Sequence, residues 1–316
     1  MKLLIGVLCI LVLAQPNLIS RVQEEDWPVL KGSYLGQKIP GMTPQIFAPG
    51  IISTEGTQGY PSFTKDGNEF YFNCRRRGGW FFTKRKNNTW QLPAVVPFSI
   101  QYGFGEAIVS ADGSKIFFCS KHPHKKSKGS DDLDLWMMER KEGVWQEPVP
   151  LNSALNSDKH EAFPTRALSG NLYFFRDYED KRGCEILVSK YSNSTFTPPE
   201  NLGPTINSEK HECDPFIDPH ERYVIYCVRD REGGFGNNDL YVSFKTEAGT
   251  WTKSFNLGPR INSQSEEITP HVSPDGNYLF FSSNRGGDYN IYWVDAKIIE
   301  KFRPKESKST ELKMIK

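Results

Sequence analysis

No apolar run in this chain is long enough to cross a bilayer as a helix; Leu3 to Leu13 falls well short of the roughly 20 residues a span needs. Charge of one sign is also missing. Basic and acidic side chains number 39 and 38, so no global field draws the chain to nucleic acid, and no basic stripe is interleaved with exposed aromatics. Cysteine is sparse: six residues, with no CxxC and no Cys and His spacing of the kind that holds zinc. Nothing resembles a phosphate-cradling loop, a nucleophile elbow or a Ser, His and Asp set. Nucleotide, zinc and triad chemistry therefore lack the residues they need, and neither a cofactor nor a metal is expected.

What is present is repetition. Thr269-Pro270 leads through Ser273-Pro274-Asp275-Gly276 to Tyr278-Leu279-Phe280-Phe281, which reads as an alternating strand, a tight turn and a second apolar strand. Copies run from Tyr60-Pro61 through Asp66-Gly67, from Glu106-Ala107 through Asp112-Gly113, from Phe163-Pro164 through Ser169-Gly170 and from Asp214-Pro215 through His220-Glu221, the last without its turn glycine. The turn positions Gly67, Gly113, Gly170, Glu221 and Gly276 follow at intervals of 46, 57, 51 and 55. An all-β period near fifty means propeller blades.

Each copy continues into a third strand, as in Asn238-Asp239-Leu240-Tyr241, then a turn and an outer segment such as Asn256-Leu257-Gly258-Pro259, where proline suits an edge. The fifth copy stops after its third strand, whereas Pro44 to Ser53 looks like an outer strand with no blade before it. The expected fold is thus an all-β, five-bladed propeller of four-stranded antiparallel blades, closed by an N-terminal strand; a sixth blade from Trp27 to Ile39 is the alternative. Residues 1–20, with Lys2, the Leu3 to Leu13 run and Ala14, follow the order of a cleaved secretory signal. Residues 21–42 form an extension, 43–296 the propeller and 297–316 a charged tail. A soluble, exported monomer of periplasmic or extracellular location is expected, since Cys9 lacks the small residues that precede a lipoprotein cysteine. The remaining cysteines, Cys74, Cys119, Cys184, Cys213 and Cys227, read as buried free thiols.

The units Ser273-Pro274-Asp275-Gly276, Ser283-Asn284-Arg285-Gly286-Gly287, Asn238-Asp239-Leu240-Tyr241 and Asn256-Leu257-Gly258-Pro259 to Ile261-Asn262-Ser263 resemble the TolB-like, WD40-like repeats of exported bacterial propellers. With Thr43-Pro44 to Phe47-Ala48-Pro49-Gly50, the chain is similar to single-domain propellers of Bacteroidetes type over residues 43–296. The resemblance implies a binding or scaffolding module, without the peptidoglycan-binding domain that some relatives append.

Loops leading into the first strand and loops between the second and third strands open on one face. The former bring His160-Glu161, His211-Glu212 and Glu266-Glu267, with Gln58 and Phe104 at the same place in the other copies. The latter bring Arg75, Arg176, Arg229 and Arg285. Two readings follow: the glutamates pair with arginines of an adjacent blade and fix loops, or His160, Glu161, His211, Glu212, Glu267 and the four arginines bind a protein or polysaccharide of the envelope or exterior. The residue before the strand proline faces the channel and varies between Tyr60, Glu106, Phe163, Asp214 and Thr269. Glu106 and Asp214 form the candidate carboxylate pair of a glycoside hydrolase or lyase, the enzymatic alternative to a binding propeller. A structural envelope component is the third reading. In the 122–132 insertion, His122 and His124 sit among lysines that repel cations, so the segment reads as a solvated loop.

Overall fold

Adjacent aromatic residues explain why the second strand of each repeat needs neighbours on both sides. In a strand, successive side chains point to opposite faces. Phe280 and Phe281 accordingly enter different cores, as do Phe117 and Phe118, Tyr71 and Phe72, and Ile225 and Tyr226. A sheet that is apolar on both faces must be sandwiched between two others. That requirement, repeated five times, produces the ring.

The computed structural model describes residues 28–123, 132–178 and 183–304. Its inner, second, third and outer strands form five antiparallel blades. Blade 1 holds Gln58–Phe63, Glu69–Cys74, Gly79–Lys86 and Ala94–Val95; blade 2 holds Ala107–Val109, Lys115–Ser120, Asp134–Lys141 and Val149–Pro150. Blade 3 runs through His160–Arg166, Leu172–Asp177, Cys184–Ser189 and Glu200–Asn201, and blade 4 through His211–Ile217, Tyr223–Arg229, Asn238–Phe244 and Phe255–Asn256. Blade 5 takes Glu267–Val272, Tyr278–Ser283 and Asn290–Asp295 from the end of the chain and Gln45–Ile46 from its beginning.

The closure is the one expected from sequence. Gln45 lies opposite Trp293 and Ile46 opposite Tyr292, and the Phe47 amide donates to the Ile291 carbonyl at 2.7 Å. Each pair of neighbouring blades shares an apolar core, and Phe47, Phe280, Ile291 and Trp293 meet Phe63, Phe70 and Phe72 at the seam between blades 5 and 1. Five blades with five interfaces make a closed ring, whereas an open stack would leave one interface bare.

The sixth-blade alternative is not realised. From residue 28 to 39 the chain contributes a 3-10 turn, Tyr34–Gly36, and covers the seam with Tyr34 and Leu35; Trp27 lies outside the described residues. Residues 1–20, expected to be a secretory signal, and residues 305–316 also lie outside them. The first part of the expected tail forms a helix, Lys297–Glu300, whose Ile298 and Ile299 are buried against blades 4 and 5.

The turn chemistry follows its sequence. In Ser273-Pro274-Asp275-Gly276-Asn277 the Asp275 carboxylate accepts from the Ser273 hydroxyl at 2.7 Å and the Asn277 amide at 3.0 Å, while Gly276 takes a φ of 73°. Where the glycine is lost, Glu221 adopts a φ of 57°. Its carboxylate accepts from Tyr173 at 2.6 Å and Asn171 at 3.0 Å, contacts that hold this left-handed residue in place.

Candidate functional site

The residue that precedes the strand proline sits at a β-bulge. Inner and second strands of blades 1, 3, 4 and 5 change register between Gly59 and Ser62, Ala162 and Thr165, Cys213 and Phe216, and Ile268 and His271. Proline disfavours the right-handed helical region for the residue before it. In the bulges Tyr60, Phe163, Asp214 and Thr269 instead take φ values of 57°, 50°, 52° and 54°. Blade 2, with Ala107 in place of proline, pairs regularly and presents Glu106 without a bulge.

These positions converge in the channel. The rings of Tyr60 in blade 1 and Phe163 in blade 3 lie 6.0 Å apart, a contact between blades that are not neighbours. Glu106 and Asp214 lie close enough for the Asp214 charge to act on Glu106. Burial first, and that charge second, push the Glu106 carboxyl up to about 8. Burial likewise raises Asp214 to about 6, against hydrogen bonds from the Thr269 amide and the Cys227 thiol. Tyr60 is held well above the usual phenol range by burial and by the two acids.

The acids also stitch the ring. Glu106 accepts from the Phe163 amide of the next blade, from the Tyr60 hydroxyl and from Cys119 Sγ at 3.8 Å. Asp214 accepts from the Thr269 amide of its own next blade at 3.1 Å. The bulge turns these amides out of their sheets, and a carboxyl from the preceding blade receives each of them. Among the described residues, Cys184, Cys213 and Cys227 hydrogen-bond one another beside Asp214 and all five thiols are free.

Titration of this pair has a defined sign. A carboxyl whose folded pKa lies above its unfolded value stabilises the fold fully below the unfolded value, near 4. That contribution is lost as pH rises through about 6 for Asp214 and about 8 for Glu106. Glu106→Gln retains an acceptor for the Phe163 amide and cannot ionise. It should therefore gain on the order of 2 kcal/mol over the wild type at about pH 9 and flatten the alkaline limb of stability. Urea melts across that range check this, and a wild-type stability that does not fall above neutrality would contradict it.

The rim glutamates occupy a different environment. Glu161, Glu212 and Glu267 are all fully buried. Glu161 accepts from the Ser157 amide at 3.0 Å, the Ser157 hydroxyl at 2.5 Å and Arg176 Nε at 2.6 Å. Glu267 accepts from the Ser263 amide and hydroxyl, each at 2.7 Å, from the Ser283 hydroxyl at 2.7 Å and from Arg285 at 2.9 Å. Glu212 repeats the serine contacts through Ser208, and Arg231 supplies a nearby positive charge. Burial pushes the Glu161 and Glu212 carboxyls above their ordinary range despite these donors. The expectation of pairing with an adjacent blade is corrected: Glu161 with Arg176 and Glu267 with Arg285 are pairs within one blade. Arg176 lies directly across the strand pair from Glu161, whereas Arg285 reaches back from the loop after Ser283. Gln58 keeps the same local contact in neutral form, accepting from the Thr54 amide at 3.2 Å, and Phe104 replaces it by stacking on Phe118.

Sequence reasoning missed the residues that dock these loops. Asn156, Asn207 and Asn262 each present a side-chain amide to the third strand of the preceding blade. Each accepts the backbone amide, at 2.8 Å, and donates to the carbonyl of Leu135, Ile186 or Leu240. The signal was legible as an Asn-Ser pair four and five residues before each glutamate. Of the other rim candidates, Arg75 and Arg229 are exposed, and His160 and His211 are half-buried. His160 Nδ1 accepts from the Leu133 amide at 2.9 Å. Asp239 bonds the turn amides of Phe235 and Gly236. His122 packs on Tyr102, and His124 lies outside the described residues. No described helix is long and apolar enough to cross a membrane.

No protein-family model matches the chain, and no curated protein does. Solved structures share its fold. An endo-arabinase from Bacteroides thetaiotaomicron VPI-5482 superposes with a TM-score of 0.53 at 12% identity, over 85% of this chain and 99% of that one. TolB from Acinetobacter baumannii gives 0.48 at 12% identity, over 78% of this chain and 53% of its own, so the present chain spans about half of that protein. An arabinanase from Bacillus subtilis gives 0.44 at 14% identity, over 77% and 95%. The likeness is one of β-propeller architecture.

Proposed function

We propose that this chain is an exported, non-catalytic propeller that binds a hydroxyl-rich ligand, a glycan in chemical class, at the channel mouth. The observation that carries the reading is the convergence of unlike side chains at one repeated position. Tyr60 and Phe163 supply ring faces for the C–H surface of a sugar, and Glu106 and Asp214 supply acceptors for its hydroxyls. A ring of five equal residues would not distinguish one ligand orientation from another. Tyr60 and Glu106 keep more residual exposure than Phe163, Asp214 and Thr269, and so meet a ligand first. Exposed Arg75 and Arg229, with His160 and His211, form the outer contact, while Glu161, Glu212, Glu267, Arg176 and Arg285 hold the loops that present it.

A hydrolase reading has one observation in its favour. Glu106, raised to about 8, and Asp214, raised to about 6, pair a neutral acid with an ionised carboxylate near pH 7. Against it, both groups already accept backbone amides from the next blade.

Calorimetry against a panel of polysaccharides and oligosaccharides, with an assay for released reducing ends, separates the two. Binding without turnover is expected, with Tyr60→Ala and Glu106→Gln each weakening it by about tenfold or more in protein that remains folded. Sugar release that Glu106→Gln abolishes would replace this reading by the hydrolase, and absence of binding across the panel would remove both.

A further inference from the structure

The opposite end of the channel, where the Asp-Gly turns gather, encloses a cavity of about 490 Å³ to which all five blades contribute. That volume lies within the range of small-molecule sites. Its apolar wall mixes aliphatic and aromatic side chains, among them Ile108, Val109, Val272, Phe63 and Phe216, with His271 beside the two phenylalanines. The His271 ring stands edge-on to Phe216 at 5.2 Å and lies nearly parallel to Phe63 at 6.4 Å. It is only 8% exposed, and no hydrogen bond to its imidazole is made by any described residue. Burial lowers its pKa to about 3, so it faces the cavity as a neutral ring carrying one donor and one acceptor.

The charges around this opening divide into spent and unspent. Arg222 pairs with Asp218 through two bonds, of 2.7 and 2.8 Å. Glu300 is held by Arg303 through bonds of 2.6 and 2.9 Å, and Asp275 is occupied by its own turn. Lys65 remains, with Arg166, whose charge also acts on the Asp112 carboxylate. No described carboxylate pairs with the exposed Lys65 ammonium. Arg166 bonds the Gly170 carbonyl through Nε, and its guanidinium is fixed over the rings of Phe117 and Tyr191 at 5.4 and 5.2 Å. A planar cation held in this way is preorganised for a carboxylate.

We infer that this cavity binds a small aromatic carboxylate, its ring among Phe63, Phe216 and His271 and its anionic group toward Lys65 and Arg166. The site is independent of the glycan reading, being lined by neither Tyr60 nor Glu106.

The test uses the full chain, with phenylacetate as probe and phenethylamine and benzyl alcohol as cationic and neutral controls. Calorimetry should show phenylacetate binding at least about fivefold more tightly than either control. Nitrogen-15 spectra of the imidazole should show His271 shifting as the carboxylate is added. Lys65→Glu, a change at an exposed position, should weaken phenylacetate about fivefold or more, and Ile108→Trp should abolish binding by filling the cavity. If the folded Lys65→Glu protein binds as the wild type does, if the amine binds as well as the acid, or if about 10 mM phenylacetate leaves His271 unmoved, the inference fails.

Discussion

Replacing Phe47 with alanine should destabilise the fold by about 3–5 kcal/mol, the cost of emptying a fully buried aromatic site. The ring is wholly inaccessible and stands edge-on to Phe70 at 5.3 Å, to Phe280 at 5.2 Å and to Trp293 at 5.2 Å. Phe70 belongs to blade 1 and the other two to blade 5, so one side chain fills the seam where the two ends of the chain meet. The strand just before it, Gln45–Ile46, contributes only the two residue pairs from Gln45 to Trp293 and from Ile46 to Tyr292, and Phe47 itself adds one amide bond to Ile291. Side-chain packing, more than backbone pairing, must therefore hold the seam. Urea melts measure the loss, and hydrogen exchange should show blades 1 and 5 opening before blade 3. A cost below about 1 kcal/mol would mean that Tyr34 and Leu35 close the ring without it.

Glu267→Ala is expected to be comparably damaging, at about 3–5 kcal/mol, because it removes one member of a buried ion pair and orphans the groups it receives. The Ser263 amide, two hydroxyls and the Arg285 guanidinium all donate to that carboxylate. An exposed pair would contribute at most about 1 kcal/mol. Thermal and urea unfolding decide between the values, and a loss under about 1 kcal/mol would return Glu267 to the surface class. Ser263→Ala should cost less, since the Arg285 contact survives it.

The contrast shows what could be read from the sequence and what could not. Strand, turn and closure are local or periodic properties. Paired aromatics such as Phe280 and Phe281, the Asp275-Gly276 turn and the orphan strand near Phe47 announce them directly. The bulges also had a signal, a proline inside a strand pattern, but its effect on Asp214 and Thr269 depends on pairing that only the folded sheet displays. Ion pairing was the least legible feature. Arg176 and Arg285 reach equivalent glutamates from different sequence positions, one across the strand and one from the following loop, so spacing pointed to the wrong partners. Glu106 and Asp214 were identified as candidates because their position in the repeat was right, whereas the elevation of their pKa values comes from a desolvated channel that no single repeat contains.

The pairing of Gln45 with Trp293 has a further consequence for the order of events during biosynthesis. The opening strand emerges from the ribosome first, yet its hydrogen-bonding partner is made nearly 250 residues later. Until then blade 1 can stack only on blade 2, and its other face, with Phe63 and Phe70, stays wet. Joining such distant segments is a late and slow event. The ring thus stays open until the third strand of blade 5 has been made.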